Sequence, residues 1–400
     1  MSLRTLDQLI KSTGVKGKRV LVRVDLNVPM VRGVVSDDTR ITALLPTINK
    51  LVKEKAKVIL LSHFGRPKGE HVFDMSLAPI ADALSDVMGG KEIKFAVDCI
   101  GEPAEEAVDS MKDGEILLLE NLRFHKGEEK NDASFTKALA KLGDVYINDA
   151  FSCSHRSHAS ITGLAKALPS AAGYLLEQEI VGLEKILSKP KTPMVAIVGG
   201  SKVSTKIDLL NTLAAKVDAL VIGGGMANTF LYAKGIKIGK SLCEKDYKQT
   251  ALDIMAIAEE KGCEIVLPVD AIVADDITSL MCRVVKVDGI PDSQMILDMG
   301  QNTVDKIRVH LKEAKTVVWN GPLGAFEYDP FLISTASVAR EVAYLTSQKE
   351  IVSVAGGGDI LSALNKCGLK DEFSYISTAG GAFLEWLEGK ELPGVKALAA

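Results

Sequence analysis

No stretch of the 400 residues reaches the roughly 18 consecutive apolar side chains that a helix needs to cross a bilayer. The opening MSLRTLDQLIKSTGVKGKRV holds no continuous apolar run of the kind that drives secretion. A cytoplasmic location is therefore expected. The six cysteines, Cys99, Cys153, Cys243, Cys263, Cys282 and Cys367, never form a C-x-x-C pair, which argues against structural zinc and for reduced, partly buried thiols. Excess positive charge is missing too: 48 Lys and Arg against 52 Asp and Glu leave a net charge of −4, so the basic field of a nucleic-acid-binding domain is absent. There is no solenoid repeat and no low-complexity tract. Neither common nucleotide fingerprint occurs: G-x-x-x-x-G-K-S/T is not found, and GGGMAN puts Asn228 where G-x-G-x-x-G needs its last glycine.

Short apolar runs rich in Val, Ile and Leu are what the chain does have. RVLVRVDLNV, KVILLSHFGRP, EILLLENLRF and DVYINDAF come early, and MVAIVGGSK, ALVIGGG, EIVLPVD, TVVWNGP and IVSVAGGGD follow later, separated by stretches of helical periodicity. Continuous apolar runs fit strands buried on both faces, and intervening helices imply right-handed βαβ crossovers, hence an α/β protein with parallel sheets. The length exceeds one ordinary core, so two domains are expected. A long helical pattern between Pro169 and Pro190 reads as the helix joining them.

Ligands of open parallel sheets bind beyond the carboxyl ends of the strands. In the first half those positions hold Asp25, Asn27, His63, Arg66, Arg123 and Arg156, with Arg40 at a helix start. Each alone reads as a solvated charge or cap, but arginines converging on one edge form a multidentate anion site, because guanidinium forks match carboxylate and phosphate oxygens. His155 and His158 in HRSH have no carboxylate or cysteine at ligand spacing, which argues against a metal there.

The second half offers backbone amides instead. Gly199-Gly200, Gly223 to Gly225, Gly356 to Gly358 and Gly380-Gly381 are four glycine-rich turns. Turns of this kind let N–H groups approach a ligand at helix N-termini, where phosphate is favoured. Lys202 and Lys206 stand four apart and would share a face if helical. Asp359 after three glycines would repel phosphate, so it is read as a ligand to a Mg²⁺ ion riding on the phosphates. Glu327 is read as an acceptor for ribose hydroxyls.

The segments RVDLNVP, SHFGRPKG, ENLRFHKGEEKND, VVWNGPLGAFE and AGGGD, in this order and across essentially the whole chain, resemble the phosphoglycerate kinase family. The resemblance implies reversible transfer of a phosphoryl group from 1,3-bisphosphoglycerate to ADP, giving 3-phosphoglycerate and ATP with Mg²⁺, in glycolysis and gluconeogenesis, by direct in-line transfer after hinge closure. It implies two doubly wound parallel-sheet domains facing each other across a cleft. These are a phosphoglycerate-binding domain over 1–169, with a C-terminal tail 388–400 packing back on it, an interdomain helix over 170–189 and a nucleotide-binding domain over 190–387.

By motif, Asp25, Asn27, Arg40, His63, Arg66, Arg123 and Arg156 would hold the phosphoglycerate. Lys202, Lys206, Gly223, Gly224, Gly225, Asn320, Glu327, Gly356, Gly357, Gly358, Asp359 and Ile360 would hold the nucleotide, with Asp359 on the metal. Arg40, Lys202, Gly357 and Gly380 would act at the transferring group. A monomer is implied, with small-molecule partners and neither nucleic acid nor membrane. The sequence departs from the family pattern at Ile360, where a hydroxyl residue is common, at Ser152 to Ser154 in place of Gly-Thr-Ala, and at Ala379 in place of glycine. None of these departures is expected to touch a charged contact. A dehydrogenase, disfavoured by the missing G-x-G-x-x-G, and a non-catalytic nucleotide-binding protein are the rival readings; the second would be expected to lack Arg40, Lys202 or Asp359, all of which are present.

Overall fold

A computed structural model describes residues 3–187 and 189–399. The chain forms two compact units, Met1–Val181 with Glu391–Ala400, and Gly182–Lys390. No helix among the described residues is long and apolar enough to cross a membrane.

The first unit holds β1 (Arg19–Arg23), the short antiparallel pair β2 (Met30–Val31) and β3 (Val34–Val35), then β4 (Lys57–Leu61), β5 (Ile93–Ala96), β6 (Ile116–Leu119), β7 (Val145–Asn148) and β8 (Ser170–Ala172). Six of these build a parallel sheet in the order β5-β6-β4-β1-β7-β8. The runs RVLVR, KVILL, ILLL and VYIN are buried almost throughout, because helices cover both faces of such a sheet. The chain leaves β1 for β4 on one side and later reaches β7 on the other, so the winding reverses at β1. Arg23 is level with Leu61 and with Asn148, and the residues following these strands therefore emerge along one edge, at the switch point where such sheets bind ligands. The helix Thr39–Lys53 carries Arg40 in its first turn.

The joining helix starts later than its sequence pattern implies. It runs Tyr174–Leu187, about 21 Å at 1.5 Å per residue, whereas residues 170–172 form the edge strand β8. Pairing decides this: the Pro169 carbonyl accepts from Tyr146 N at 3.0 Å and Gly173 N donates to Asn148 O at 2.8 Å, so β7 captures the small Ser-Ala-Ala stretch. Gly173 then has to be glycine, since a Cβ there would lie 2.3 Å from the Asp149 carboxylate. The helix N-terminus is capped by side chains of the first unit, Tyr174 N on Thr47 Oγ1 at 2.9 Å and Leu176 N on Asp149 Oδ1 at 3.1 Å. At the other end of the chain Leu392 and Leu398 are buried, and Gly394 N donates to Ser154 O at 2.8 Å.

The second unit contains β9 (Met194–Val198), β10 (Ala219–Ile222), β11 (Glu264–Val266), β12 (Asp270–Ala274), β13 (Arg283–Lys286), β14 (Met295–Met299), β15 (Thr316–Asn320), β16 (Val352–Gly356) and β17 (Tyr375–Ser377). Its parallel sheet has the order β11-β10-β9-β15-β16-β17, and β13-β12-β14 is a separate antiparallel sheet. The antiparallel sheet is absent from the strand pattern read in the sequence, where EIVLPVD stood as one parallel strand. Only three residues separate β11 from β12, far fewer than a parallel crossover needs. The winding reverses at β9, which lies between β10 and β15. Buried Val195, Ile197, Trp319, Ile360 and Leu364 belong to the core around this sheet.

Candidate functional site

On the first unit's sheet edge, Asp25 after β1 gathers the neighbouring groups. Its Oδ2 accepts from Arg40 Nη1 at 2.9 Å and from Ser152 Oγ at 2.5 Å, and its Oδ1 accepts from Asn27 N at 3.1 Å. Arg40 Nη1 also donates to Asn27 O at 2.9 Å. Asn27 Oδ1 accepts from Gly65 N at 2.9 Å, and Arg123 Nη1 donates to Gly65 O at 2.7 Å. Asp25, Asn27, Arg40 and Arg123 are thus one hydrogen-bonded set. Arg123 is buried; its Nε lies 3.3 Å from Glu129 Oε1 but is not aligned for a hydrogen bond, and it remains a buried donor without a partner. Arg156 is half-buried, with Nε donating to His155 Nε2 at 3.2 Å. Arg66 is exposed, and no bond ties it to this set among the described residues.

Beneath them lies a charged layer that the sequence analysis missed. Arg23, the last residue of β1, is 1% exposed, and Glu128 and Ser160 are fully buried. Arg23 Nε donates to Ser160 Oγ at 2.9 Å, Nη1 donates to Val24 O, and Nη2 lies 3.0 Å from His63 Nδ1. Glu128 accepts from Ser160 N at 2.9 Å and from Ser160 Oγ at 2.5 Å. Burial lifts the Glu128 carboxyl, while Arg23 and Ser160 pull it back. Burial first, then Arg23, Arg123 and Arg156, press His63 well below the ordinary histidine range. The same combination, burial followed by Arg123, Arg156 and Arg23, brings His158 down to about 3. Burial and the neighbouring Arg156 also lower the Arg123 guanidinium. Cations pressed together under partial burial make a site whose natural complement is a multiply charged anion.

One departure from the family pattern does touch a charge, against expectation: Ser152 donates to Asp25, because the 3₁₀ turn Phe151–Cys153 brings its hydroxyl over that carboxylate. An arginine closing an otherwise apolar buried strand was the available signal for Arg23.

In the second unit the turns after β9, β15 and β16 are tied together. Lys206 Nζ donates to Gly199 O at 2.5 Å and to Asn320 Oδ1 at 2.6 Å, and Asn320 Nδ2 donates to Gly356 O at 2.5 Å. Burial lowers the Lys206 ammonium to about 8, with Asp359 acting in the opposite direction. Gly357 has φ +112, and a Cβ there would sit 2.5 Å from Asn320 Nδ2, so only glycine fits. Lys202 and Lys206 do not share an α-helical face. Lys202 is extended (φ −133, ψ 129) ahead of the 3₁₀ turn Val203–Thr205, and the helix begins at Ile207. The cause is Glu244, whose carboxylate takes Ser204 N at 2.9 Å and Ser204 Oγ at 2.6 Å.

A cavity of about 450 Å³ opens beside these turns, bordered by Gly224 and Gly225, with apolar Leu242 and Leu297 on its walls and Glu327 and Asp359 as acidic groups. Apolar walls with a few polar groups suit a flat base carrying hydroxyls and phosphates. Lys202, Lys206, Gly223, Asn320, Gly356, Gly357, Gly358, Ile360 and Gly380 are not among its lining residues. The Ile360 side chain is fully buried in the core, which accounts for an apolar residue at that position.

Two doubly wound parallel sheets, one with a basic edge and one with glycine turns at helix starts beside a cavity, define an α/β protein suited to small anionic ligands. Comparison with known proteins then gives the family: the family described as phosphoglycerate kinase matches residues 10–390. The phosphoglycerate kinase of Chelativorans sp. is 57% identical over 396 residues, covering 99% of this chain and 98% of its own. That of Allorhizobium ampelinum is 58% identical over 398 residues, covering 99% and 98%. The solved phosphoglycerate kinase of Coxiella burnetii superposes with a TM-score of 0.87 at 42% identity and 99% coverage of both chains. The structure from Pyrococcus horikoshii gives 0.83 at 32% identity, covering 97% of this chain and 98% of its own. The chain belongs to the phosphoglycerate kinase family.

The depressed histidines carry a stability consequence. His158 stays neutral in the folded protein down to about pH 3, whereas in the unfolded chain it protonates below about pH 6.5. Between those values the unfolded state binds the extra proton, so stability falls as pH drops through that window. Asp149, raised by burial to about 6, works in the opposite direction between about pH 6 and 4. Urea unfolding of the wild type and of His158→Gln, compared from about pH 7 to 4, isolates the histidine. The variant is expected to lose less stability on acidification, and parallel curves would contradict the assignment.

Proposed function

We propose that the first unit's basic edge holds the phosphoglycerate while the second unit's turns and cavity hold the nucleotide, as the enzyme moves a phosphoryl group reversibly from 1,3-bisphosphoglycerate to ADP. The observation that carries this placement is the convergence of Arg23, Arg123 and Arg156 on His63, with Arg123 Nε a buried donor that makes an ion pair with Glu129 at 3.3 Å and no hydrogen bond. The acyl phosphate is already a good donor and the acceptor carboxylate is already ionised, so catalysis asks for positioning and charge stabilisation and for no covalent enzyme intermediate. Among the described residues Arg40 is held through Nη1, by Asp25 and by the Asn27 carbonyl. Its Nε and Nη2 are left to take oxygens of the moving phosphoryl, with Lys202 approaching from the nucleotide side and the Gly357 and Gly380 turns supplying amides.

Asp359 suits Mg²⁺. It is an exposed carboxylate on the cavity, in the first turn of the helix Gly358–Lys366, and it offers the hard oxygen that this ion takes together with phosphate oxygens. When bound, the ion neutralises charge on the phosphate chain. With the two substrates on different units, in-line transfer requires their oxygens to be brought to contact distance and water to be shut out, which we assign to hinge closure on binding both. We assign the enzyme as a monomer acting in the cytoplasm.

ATP formation from 1,3-bisphosphoglycerate and ADP tests the reading. Arg40→Ala is expected to lower kcat by about 10³; an unchanged kcat with only a raised KM for 3-phosphoglycerate would make Arg40 a binding group. A second test concerns the metal. Asp359→Asn is expected to weaken ADP binding in the presence of Mg²⁺ while metal-free ADP and 3-phosphoglycerate bind as before, measured by titration calorimetry, and an undiminished effect of Mg²⁺ would remove Asp359 from that role.

A further inference from the structure

The layer beneath the basic edge fixes where protons sit. A guanidinium carries only donors, so the nitrogen of His63 that faces Arg23 Nη2 at 3.0 Å has to accept. That nitrogen is Nδ1. From this geometry we propose that Arg23 sets the tautomer of His63, holding the ring neutral with its proton on Nε2, and so acts as a positioning residue for a histidine that donates from Nε2.

The rest of the chain of bonds has a single direction. Ser160 Oγ has one hydrogen, and its two bonds are to the Glu128 carboxylate at 2.5 Å and from Arg23 Nε at 2.9 Å. The guanidinium can only give, so the Ser160 hydrogen goes to Glu128. Glu128 orients Ser160, Ser160 orients Arg23, and Arg23 orients His63. No hydrogen bond occupies His63 Nε2 among the described residues, and Nε2 is not one of the sealed buried atoms lacking a partner. Its donor is left for a ligand.

The groups around His63 act in the same sense. Arg23 comes from β1, Arg123 from the turn after β6, and Arg156 and His158 from the segment after β7, and all four disfavour a charged ring. An Asp25 carboxylate oxygen and the Cys153 sulfur also lie within 4.8 Å of one ring nitrogen. The Asp25 carboxylate is engaged by Arg40 and Ser152. The Cys153 thiol lies 3.9 Å from Nδ1, and any bond it gave would again leave Nδ1 as an acceptor. Orientation of a histidine through its second nitrogen is the device that fixes ring tautomers in metal and catalytic sites generally.

That His63 donates to phosphoglycerate rests on the placement proposed above; the tautomer does not. Long-range ¹H–¹⁵N spectra of the ¹⁵N-histidine-labelled full chain, with His63 assigned from His63→Gln, read the ring directly. The expected spectrum has Nδ1 unprotonated and Nε2 protonated, unchanged from about pH 8 to 5.5. In Arg23→Met the ring is expected to titrate or exchange tautomers in that range, with KM for 3-phosphoglycerate raised about 10-fold and KM for ATP unmoved. Arg23→Lys, again a donor-only cation, is expected to restore the Nε2–H form. Should Arg23→Met fail to fold because Glu128 has lost its counter-charge, Arg23→Met with Glu128→Gln removes both charges and gives the same readout. A protonated Nδ1 or a charged ring in the wild type at pH 6 would overturn the proposal, as would an Arg23→Met spectrum identical to the wild type. A fixed Nε2–H ring whose signals 3-phosphoglycerate does not shift upholds the tautomer and overturns the ligand's placement.

Discussion

A fully buried guanidinium is the constraint on which the first unit's site depends. Taking Arg23 out of water is expensive unless its donors and its charge are answered. They are answered by the Ser160 hydroxyl, the Val24 carbonyl, the His63 ring and, one bond further away, the Glu128 carboxylate. Val24 is the residue next to Arg23, while the other partners come from the turn after β4, the short helix Lys126–Glu129 after β6 and the segment after β7, so satisfying one side chain draws three separate segments to the end of β1. The half-exposed arginines above inherit that placement. The result is an excess of positive charge over available carboxylates, which favours an anion at this edge.

The second unit solves a related problem with backbone. Lys206 and Asn320 lock three glycine turns against each other, and the tight approach at Gly357 leaves no room for a side chain. The turns thereby become rigid presenters of amides, while the cavity beside them supplies apolar walls. Lys206 is held by two neutral oxygens in a partly buried position, which is why its ammonium is easier to deprotonate than a surface lysine and why added negative charge nearby would stabilise its charged form.

Much of this was legible in the sequence, and physical reasons separate what was from what was not. Strands buried on both faces read as unbroken apolar runs, and β1, β4, β6, β7, β9, β10, β15 and β16 all announce themselves that way. The antiparallel sheet does not, because β12 follows β11 so closely that the two read as one run and β13 is largely exposed. The charged residues just past strand ends were legible because the parallel architecture dictates where to look. Arg23 escaped because it sits inside a strand run, where its neighbours mask it. The Lys202 and Lys206 spacing misled because Glu244, some forty residues away, holds the intervening turn out of α-helical form. Ser152 reaches Asp25 only through a turn that no local pattern signals. Long-range capture of a short segment is the common cause in these last cases.

The central claim is that charge is divided between the units, with the phosphoglycerate on one sheet edge and the nucleotide on the other. Backbone amide chemical-shift mapping of the full chain, titrated with 3-phosphoglycerate alone and then with ADP and Mg²⁺ alone, tests it most directly. The account predicts that 3-phosphoglycerate moves the signals of the turns after β1, β4, β6 and β7, around His63 and Arg123, and that the nucleotide moves those of Gly224, Gly225 and Asp359. Perturbation by 3-phosphoglycerate centred on the glycine turns of the second unit, with the basic edge unmoved, would contradict it.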